Sequence, residues 1–146
     1  MPDPARLIGI NHVALEVGDL GEALALYGRL FSFEMRGRVP GMAFIDIGDQ
    51  FLALAEGRRQ GHDDGRHFGL VVDDKAAVRA AVEREGLEMV GGRRLDFYDP
   101  WGNRIEVVAY GDIQFDRVAG VKRKLGIAGL EKTAQAQREI RDRGLA

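Results

Sequence analysis

The 146-residue chain has no cysteine. Disulfides, thiolate metal sites and cysteine nucleophiles are therefore excluded. It also lacks an excess of charge of either sign: 21 Lys and Arg stand against 23 Asp and Glu, a formal net charge of -2. A chain so balanced has no general basic field to hold a nucleic-acid backbone. No apolar run approaches the roughly 18 residues of a membrane span. Residues 1–7 carry two prolines and charge but none of the apolar stretch that a secretory leader needs. A cytoplasmic protein with neither a nucleic-acid nor a membrane partner is the expectation. Disorder is excluded too, since 45% of residues are hydrophobic and 30% charged, an ordinary globular balance.

What the chain has in quantity is glycine, 20 residues, about twice the usual share of roughly 7%. In a sequence without low complexity this implies many tight turns between short strands. It also repeats itself. Ile10-Asn11-His12-Val13-Ala14-Leu15-Glu16-Val17 runs into Gly18-Asp19, as Arg66-His67-Phe68-Gly69-Leu70-Val71-Val72 runs into Asp73-Asp74. His12 thus aligns with His67 and Asp19 with Asp74, at an offset of 55. Phe33-Glu34-Met35-Arg36-Gly37 aligns with Leu87-Glu88-Met89-Val90-Gly91 at 54, and Phe44-Ile45-Asp46 with Phe97-Tyr98-Asp99 at 53. Single-residue deletions in loops produce that drift.

Each unit reads as strand, helix, then three short strands. The first strands span about 8–17 and 66–72. Asp19, and Asp73 or Asp74, are placed to cap the helices that follow, and Gly86 to end the second. The remaining strands fall near 33–38, 42–47 and 51–55, then 87–91, 93–98 and 104–110, with Asp99-Pro100-Trp101-Gly102-Asn103 turning between the last two. The fold class is α+β: a module over about 8–56, another over about 65–110, together one domain over 1–110. A tail over 111–146 follows, with Thr133 as N-cap of a last helix ended by Gly144.

Side chains alternate between the faces of a strand. Val13, Leu15 and Val17 face the first helix, leaving His12, Ala14 and Glu16 opposite. Phe68, Leu70 and Val72 face the second helix, leaving His67, Gly69 and Val71 opposite. Ile105, Val107 and Ala109 share one side of the last strand, and Glu106, Val108 and Tyr110 the other. Two histidines at equivalent points of a repeat, with a glutamate beside one of them, have the composition of a two-histidine, one-carboxylate metal site. His12, His67 and Glu106 are the predicted ligands, brought together by the pseudo-twofold axis between modules.

These residues resemble the vicinal oxygen chelate superfamily, which includes glyoxalase I, extradiol dioxygenases, fosfomycin-resistance enzymes and bleomycin-binding proteins. The resemblance covers about residues 8–110. It rests on the paired modules, on His12 and His67, and on Phe97-Tyr98-Asp99-Pro100-Trp101-Gly102-Asn103-Arg104-Ile105-Glu106, which is similar to the family's hairpin ending in a glutamate ligand. It implies mixed sheets paired into an open cup around one divalent metal ion (Fe, Mn, Zn, Ni or Co), and a homodimer in which modules pair within or between chains. In glyoxalase I the first module also supplies a carboxylate; the offset of 53 puts Ala53 there, and parity sends Glu56 to the other face. With positions left open on the metal, the pattern is closer to the dioxygenase and fosfomycin-resistance members.

A divalent ion held by three protein groups can bind a substrate through adjacent oxygens and stabilise charge developing on them. Glu16, Tyr110 and His62 are the candidates for proton transfer. Arg58-Arg59 and Arg93-Arg94 offer charge for an anionic substrate, and no Gly-x-Gly-x-x-Gly follows a strand to support nucleotide binding. The expected function is a metal-dependent enzyme acting on a small oxygenated organic molecule, with dioxygenase chemistry slightly ahead. The alternatives are a glyoxalase-like lyase or isomerase, and a metal-free ligand-sequestering protein of the bleomycin-resistance kind. The tail carries a net charge of +3 and is expected to cover a sheet edge or a dimer surface.

Overall fold

Residues 4–146 are described in the computed structural model of the chain; Met1 to Asp3, part of the segment read above against a leader, lie outside them. The first module runs β1 (His12–Val17), α1 (Leu20–Leu30), β2 (Glu34–Val39), β3 (Met42–Ile47) and β4 (Gln50–Glu56). Asp19 caps α1, its carboxylate accepting from the Glu22 amide at 2.8 Å. Leu20, Ala23, Leu26, Tyr27 and Leu30 recur at helical spacing and form one buried stripe. The strands make a sheet in the order β1-β4-β3-β2, with β1 parallel to β4 and the rest antiparallel.

The second module runs β5 (Phe68–Val72), α2 (Lys75–Arg84), β6 (Leu95–Tyr98) and β7 (Arg104–Ala109), in a sheet ordered β5-β7-β6. Asp74 provides the α2 cap, accepting from the Ala77 amide at 2.9 Å, and Gly86 follows the helix at φ +64°. The expected strand at 87–91 is reduced to a single bridge, Met89 to Phe97. Its neighbours still bond in strand fashion, the Val90 amide to Asp96 O and the Tyr98 amide to Glu88 O. The Gly91-Gly92 turn, with Gly92 at φ +116°, breaks the ladder there. The first strand is also shorter than expected: it starts at His12, and Leu7, Ile8 and Ile10 before it are exposed.

Parity holds on all three key strands. Leu15, Val17, Ile105 and Val107 are buried, while Phe68, Leu70 and Val72 pack at the edge of the same core. That core is one continuous cluster drawn from both modules. The modules meet through their helices, α1 against α2, so their histidine-bearing faces are turned away from the shared core. Of the two pairings left open above, the within-chain one does not bring His12 to His67 and Glu106: among the described residues no cluster of three metal-binding side chains forms.

After β7 a 3-10 turn (Tyr110–Asp112) leads to α3 (Ala119–Leu125) and α4 (Ala134–Asp142), the latter capped by Thr133 as expected. The tail crosses from the second module to the β3–β4 hairpin of the first. Arg117 pairs with Asp49 and donates to Ile47 O at 3.0 Å, and Lys124 holds Asp46 at 2.8 Å. The hairpin turn must be glycine there: Gly48 sits at φ +81°, and a Cβ would lie 2.8 Å from Val121 of α3. No helix among the described residues is long and apolar enough to cross a membrane.

Candidate metal centre

The second module assembles two of the three predicted ligands. Glu106 sits across from Gly69 in the β5–β7 register, two residues beyond His67. The His67 Nε2 lies 3.6 Å from Glu106 Oε2. On the other side of the ring, Nδ1 contacts the Gly65 carbonyl oxygen at 2.9 Å. A carbonyl can only accept, so Nδ1 is protonated and Nε2 is the ring nitrogen turned toward the carboxylate. A histidine nitrogen and a carboxylate side by side are two of the donor groups that a divalent metal ion takes. Fixing Nδ1 to a backbone carbonyl is the outer-shell arrangement that metal-bound histidines use. The donor set fits a divalent ion.

His12 is prepared in the same way on the first module. Its Nδ1 contacts Asn11 Oδ1 at 2.8 Å, leaving Nε2 outward, and its ring stacks on Phe51 at 4.7 Å. The strand registers match the repeat: Ala14, two residues past His12, pairs with Ala53, as Gly69 pairs with Glu106. Ala53 therefore occupies the position equivalent to Glu106. Glu56 has a different task, for its Oε2 accepts from the Leu20 amide at 3.1 Å and satisfies the first turn of α1.

The three proton-transfer candidates separate. Glu16 lies on the His12 face and is half-buried, with Gln60 Nε2 3.3 Å from its carboxylate. His62 packs on the Tyr98 ring with centroids 5.1 Å apart, and close to Gly102. Tyr110 is committed to the tail: it leaves β7 for the 3-10 turn, its hydroxyl donates to Asp116, and Lys132 Nζ lies 3.5 Å above its ring. Burial, reinforced by the Asp116 carboxylate, pushes this phenol up to about 12. A phenol so placed is a structural tie and not a free acid or base.

Several residues have supporting roles that residue types alone did not show. Arg58 is nearly buried, bonding Asn103 Oδ1 at 2.6 Å and Gly61 O at 2.5 Å, and so ties the 57–65 connection to the β6–β7 turn. Arg104 grips Asp96 through Nε and Nη2 and donates to Asp64 O at 2.6 Å. Parity could have found that pair, since Asp96 and Arg104 share the face of Glu106. Arg58, expected above to offer charge to an anionic substrate, is instead committed to these ties, a role nothing local marks. Arg94 lies 3.7 Å from Glu106 but is largely exposed, and two surface depressions lie elsewhere, on the outer side of α2 and beside Phe31 and Phe33.

Asp63 is the electrostatic hinge of the connection. Burial pushes its carboxyl up, but bonds from Arg66 and Arg58 outweigh this and hold it below the usual range. A depressed carboxylate stabilises the fold above its unfolded pKa of about 3.9, and that contribution is lost as pH falls through the lower folded value. Compared with Asp63→Asn, the native protein should lose stability more steeply below about pH 4. Denaturant melts at stepped pH test this; parallel acid limbs for both proteins would refute it.

The profile of the Glyoxalase/Bleomycin resistance protein/Dioxygenase superfamily matches residues 9–107. The chain belongs to that superfamily. Among curated relatives, the metallothiol transferase FosB of Bacillus licheniformis is 24% identical, covering 70% of this chain and 75% of its own length. The lactoylglutathione lyase of Agrobacterium tumefaciens superposes with a TM-score of 0.56 at 26% identity, covering 72% of this chain and 96% of that one. A fosfomycin resistance protein, FosX of Listeria monocytogenes, solved with Mn(II) and 1S,2S-dihydroxypropylphosphonic acid, superposes at 0.61 with 20% identity, covering 70% and 90%. These relatives include a metallothiol transferase, a lyase and a protein solved with Mn(II), and the match supports enzyme status without selecting dioxygenase or lyase chemistry.

Proposed function

We propose that this superfamily member is a metal-dependent enzyme whose centre is built from His67 and Glu106 of one chain and His12 of a second copy. The observation that carries this reading is His67 Nε2 placed 3.6 Å from Glu106 Oε2, matched by an outward Nε2 on His12 at the equivalent point of the repeat. A single chain keeps those faces apart. β1 and β5 are both edge strands with one bonded neighbour each, and Leu7, Ile8 and Ile10 stand exposed beside β1. Open edges and exposed apolar side chains favour pairing with another copy of the same surface.

When bound, the ion supplies a Lewis acid for adjacent oxygens of a small substrate. His67 is held to Gly65 so that its free nitrogen keeps its aim. Glu16 is the carboxylate on the His12 strand itself and the proposed acid or base, with His62 as a second candidate for proton transfer. A carboxylate from the first module is replaced by Ala53, so three protein ligands leave positions for substrate. The fosfomycin-resistance relatives favour addition to a small oxygenated molecule, and a dioxygenase is the second reading. A cytoplasmic homodimer remains the expected setting.

The test is equilibrium dialysis of the chelator-treated full chain against Mn(II), Zn(II), Ni(II) and Fe(II), with elemental analysis. One ion bound per chain, lost in His67→Ala, is the expected result. A protein that holds no first-row ion would instead be a ligand-sequestering member.

A further inference from the structure

His12 and His67 share an Nδ1 with a bonded partner, but the rest of their support differs. His67 is fixed by a backbone carbonyl, that of Gly65, and has the Glu106 carboxylate beside it. The partner of His12 is a side-chain oxygen, Asn11 Oδ1 at 2.8 Å. No carboxylate flanks it in its own sheet, because Ala53 occupies the position of Glu106. Counting back two residues along each strand, Phe51 corresponds to Arg104. Arg104 is turned to Asp96, whereas Phe51 stacks on the His12 ring.

The stack is nearly parallel, with centroids 4.7 Å apart and the planes 8° from each other. Phe51 is itself held. Phe44 of β3 meets it edge to face at 5.8 Å. Arg36, the extra residue at the β2 bulge, places its guanidinium carbon 4.9 Å from the ring centre. β1 lies on one side of β4, and β3 with β2 on the other, so the ring is gripped from both sides of its strand. A ring so confined is a fixed wall for the imidazole. Stacking sets the plane of His12 but permits a half-turn that exchanges its two edges. The Asn11 bond removes that freedom and keeps the proton on Nδ1, because an amide oxygen only accepts. The other neutral tautomer carries its proton on Nε2 and cannot bind a metal through that atom. Plane, edge and tautomer together decide where the free nitrogen points.

We propose that Asn11 and Phe51 are positioning residues for His12, Asn11 fixing its tautomer and edge and Phe51 its plane. The inference rests on the proposed centre for what the aimed nitrogen binds. The aiming itself rests on contacts within one chain. It makes His12 the ligand whose strength depends on side chains, while that of His67 depends on the backbone.

The first measurement needs no metal. Nitrogen-15-labelled full-length protein is treated with chelator and brought to about pH 9, well above the ordinary histidine value of about 6.5. Long-range proton–nitrogen correlation spectra then show which ring nitrogen carries the proton. In the native chain it should be Nδ1 of His12. In Asn11→Ala it should pass mainly to Nε2, with His67 unchanged as the internal reference. The second measurement is Mn(II) affinity by equilibrium dialysis. Asn11→Ala and Phe51→Leu should each lose about tenfold or more, the scale of an outer-shell change. Asn11→Asp, which accepts the same bond, and Phe51→Tyr, which keeps the ring face, should restore it. An Asn11→Ala chain that keeps its proton on Nδ1 overturns the role of Asn11. A Phe51→Leu chain with native affinity overturns that of Phe51. A native protein that holds no ion, while the Asn11→Ala tautomer still shifts, overturns the centre and not the aiming.

Discussion

Equal amounts of His12→Ala and Glu106→Ala chains, unfolded and refolded together, should recover metal binding that neither variant has alone. If each centre draws His12 from one chain and His67 with Glu106 from the other, every homodimer of either variant lacks a ligand at both centres. A mixed dimer concentrates both lesions at one centre and leaves the other intact. Random pairing makes half the dimers mixed, so about a quarter of the native sites return. Each variant alone should lose on the order of 100-fold or more in metal affinity, since changes only to outer-shell partners already cost 10–100-fold. Bound metal measured by elemental analysis before and after mixing decides the matter. No recovery would mean that the three residues act within one chain, or not together. Glu56→Ala serves as the control: it removes the bond to the Leu20 amide and costs about 1 kcal/mol of stability, with metal affinity unchanged.

Asp99→Ala should be the most damaging single substitution for the fold. Asp99 is 2% exposed and accepts four hydrogen bonds. They come from the Tyr27 hydroxyl at 2.9 Å, Asn103 Nδ2 at 2.8 Å, and the amides of Trp101 and Asn103 at 3.0 and 2.9 Å. Tyr27 belongs to α1 and Asp99 to the β6–β7 turn, so one carboxylate fastens both modules. Removing it strands buried donors on both sides, and the expected loss is about 3–5 kcal/mol. For a chain of this size that lowers Tm by about 10 °C or more. Tyr27→Phe removes one donor and leaves the acceptor satisfied by the others, so it should cost about 1 kcal/mol. Thermal melts followed by circular dichroism test the pair, and a loss below about 1 kcal/mol for Asp99→Ala would contradict the account.

Asp99 also illustrates what was visible in advance. Its place in the Asp-Pro-Trp-Gly-Asn turn was readable from residue types, but its bond to Tyr27, 72 residues away, was not. The repeat register was readable to the residue, because strand alternation and the 55 and 53 offsets reappear as the Ala14–Ala53 and Gly69–Glu106 pairs. The caps at Asp19, Asp74 and Thr133 were readable for the same kind of reason: a cap is a bond between residues three apart. The strand expected at 87–91 was overestimated, since its apolar alternation is real but the Gly91-Gly92 turn leaves room for one bridge only. Tyr110 had the right parity for the cup, yet a tail with no readable partner drew its hydroxyl away to Asp116.

The sequence by itself determined the two modules and which side chains share a face, since these follow from local periodicity and spacing, and its motifs carried the resemblance to the family. Only the tertiary structure decided which faces meet. Each module has an apolar helix side and a histidine side, and either could be covered by the other module. Burying the stripes of α1 and α2 in one core removes more apolar surface from water than closing the half-polar histidine faces would. That choice leaves His12 and His67 on faces that a single chain does not bring together.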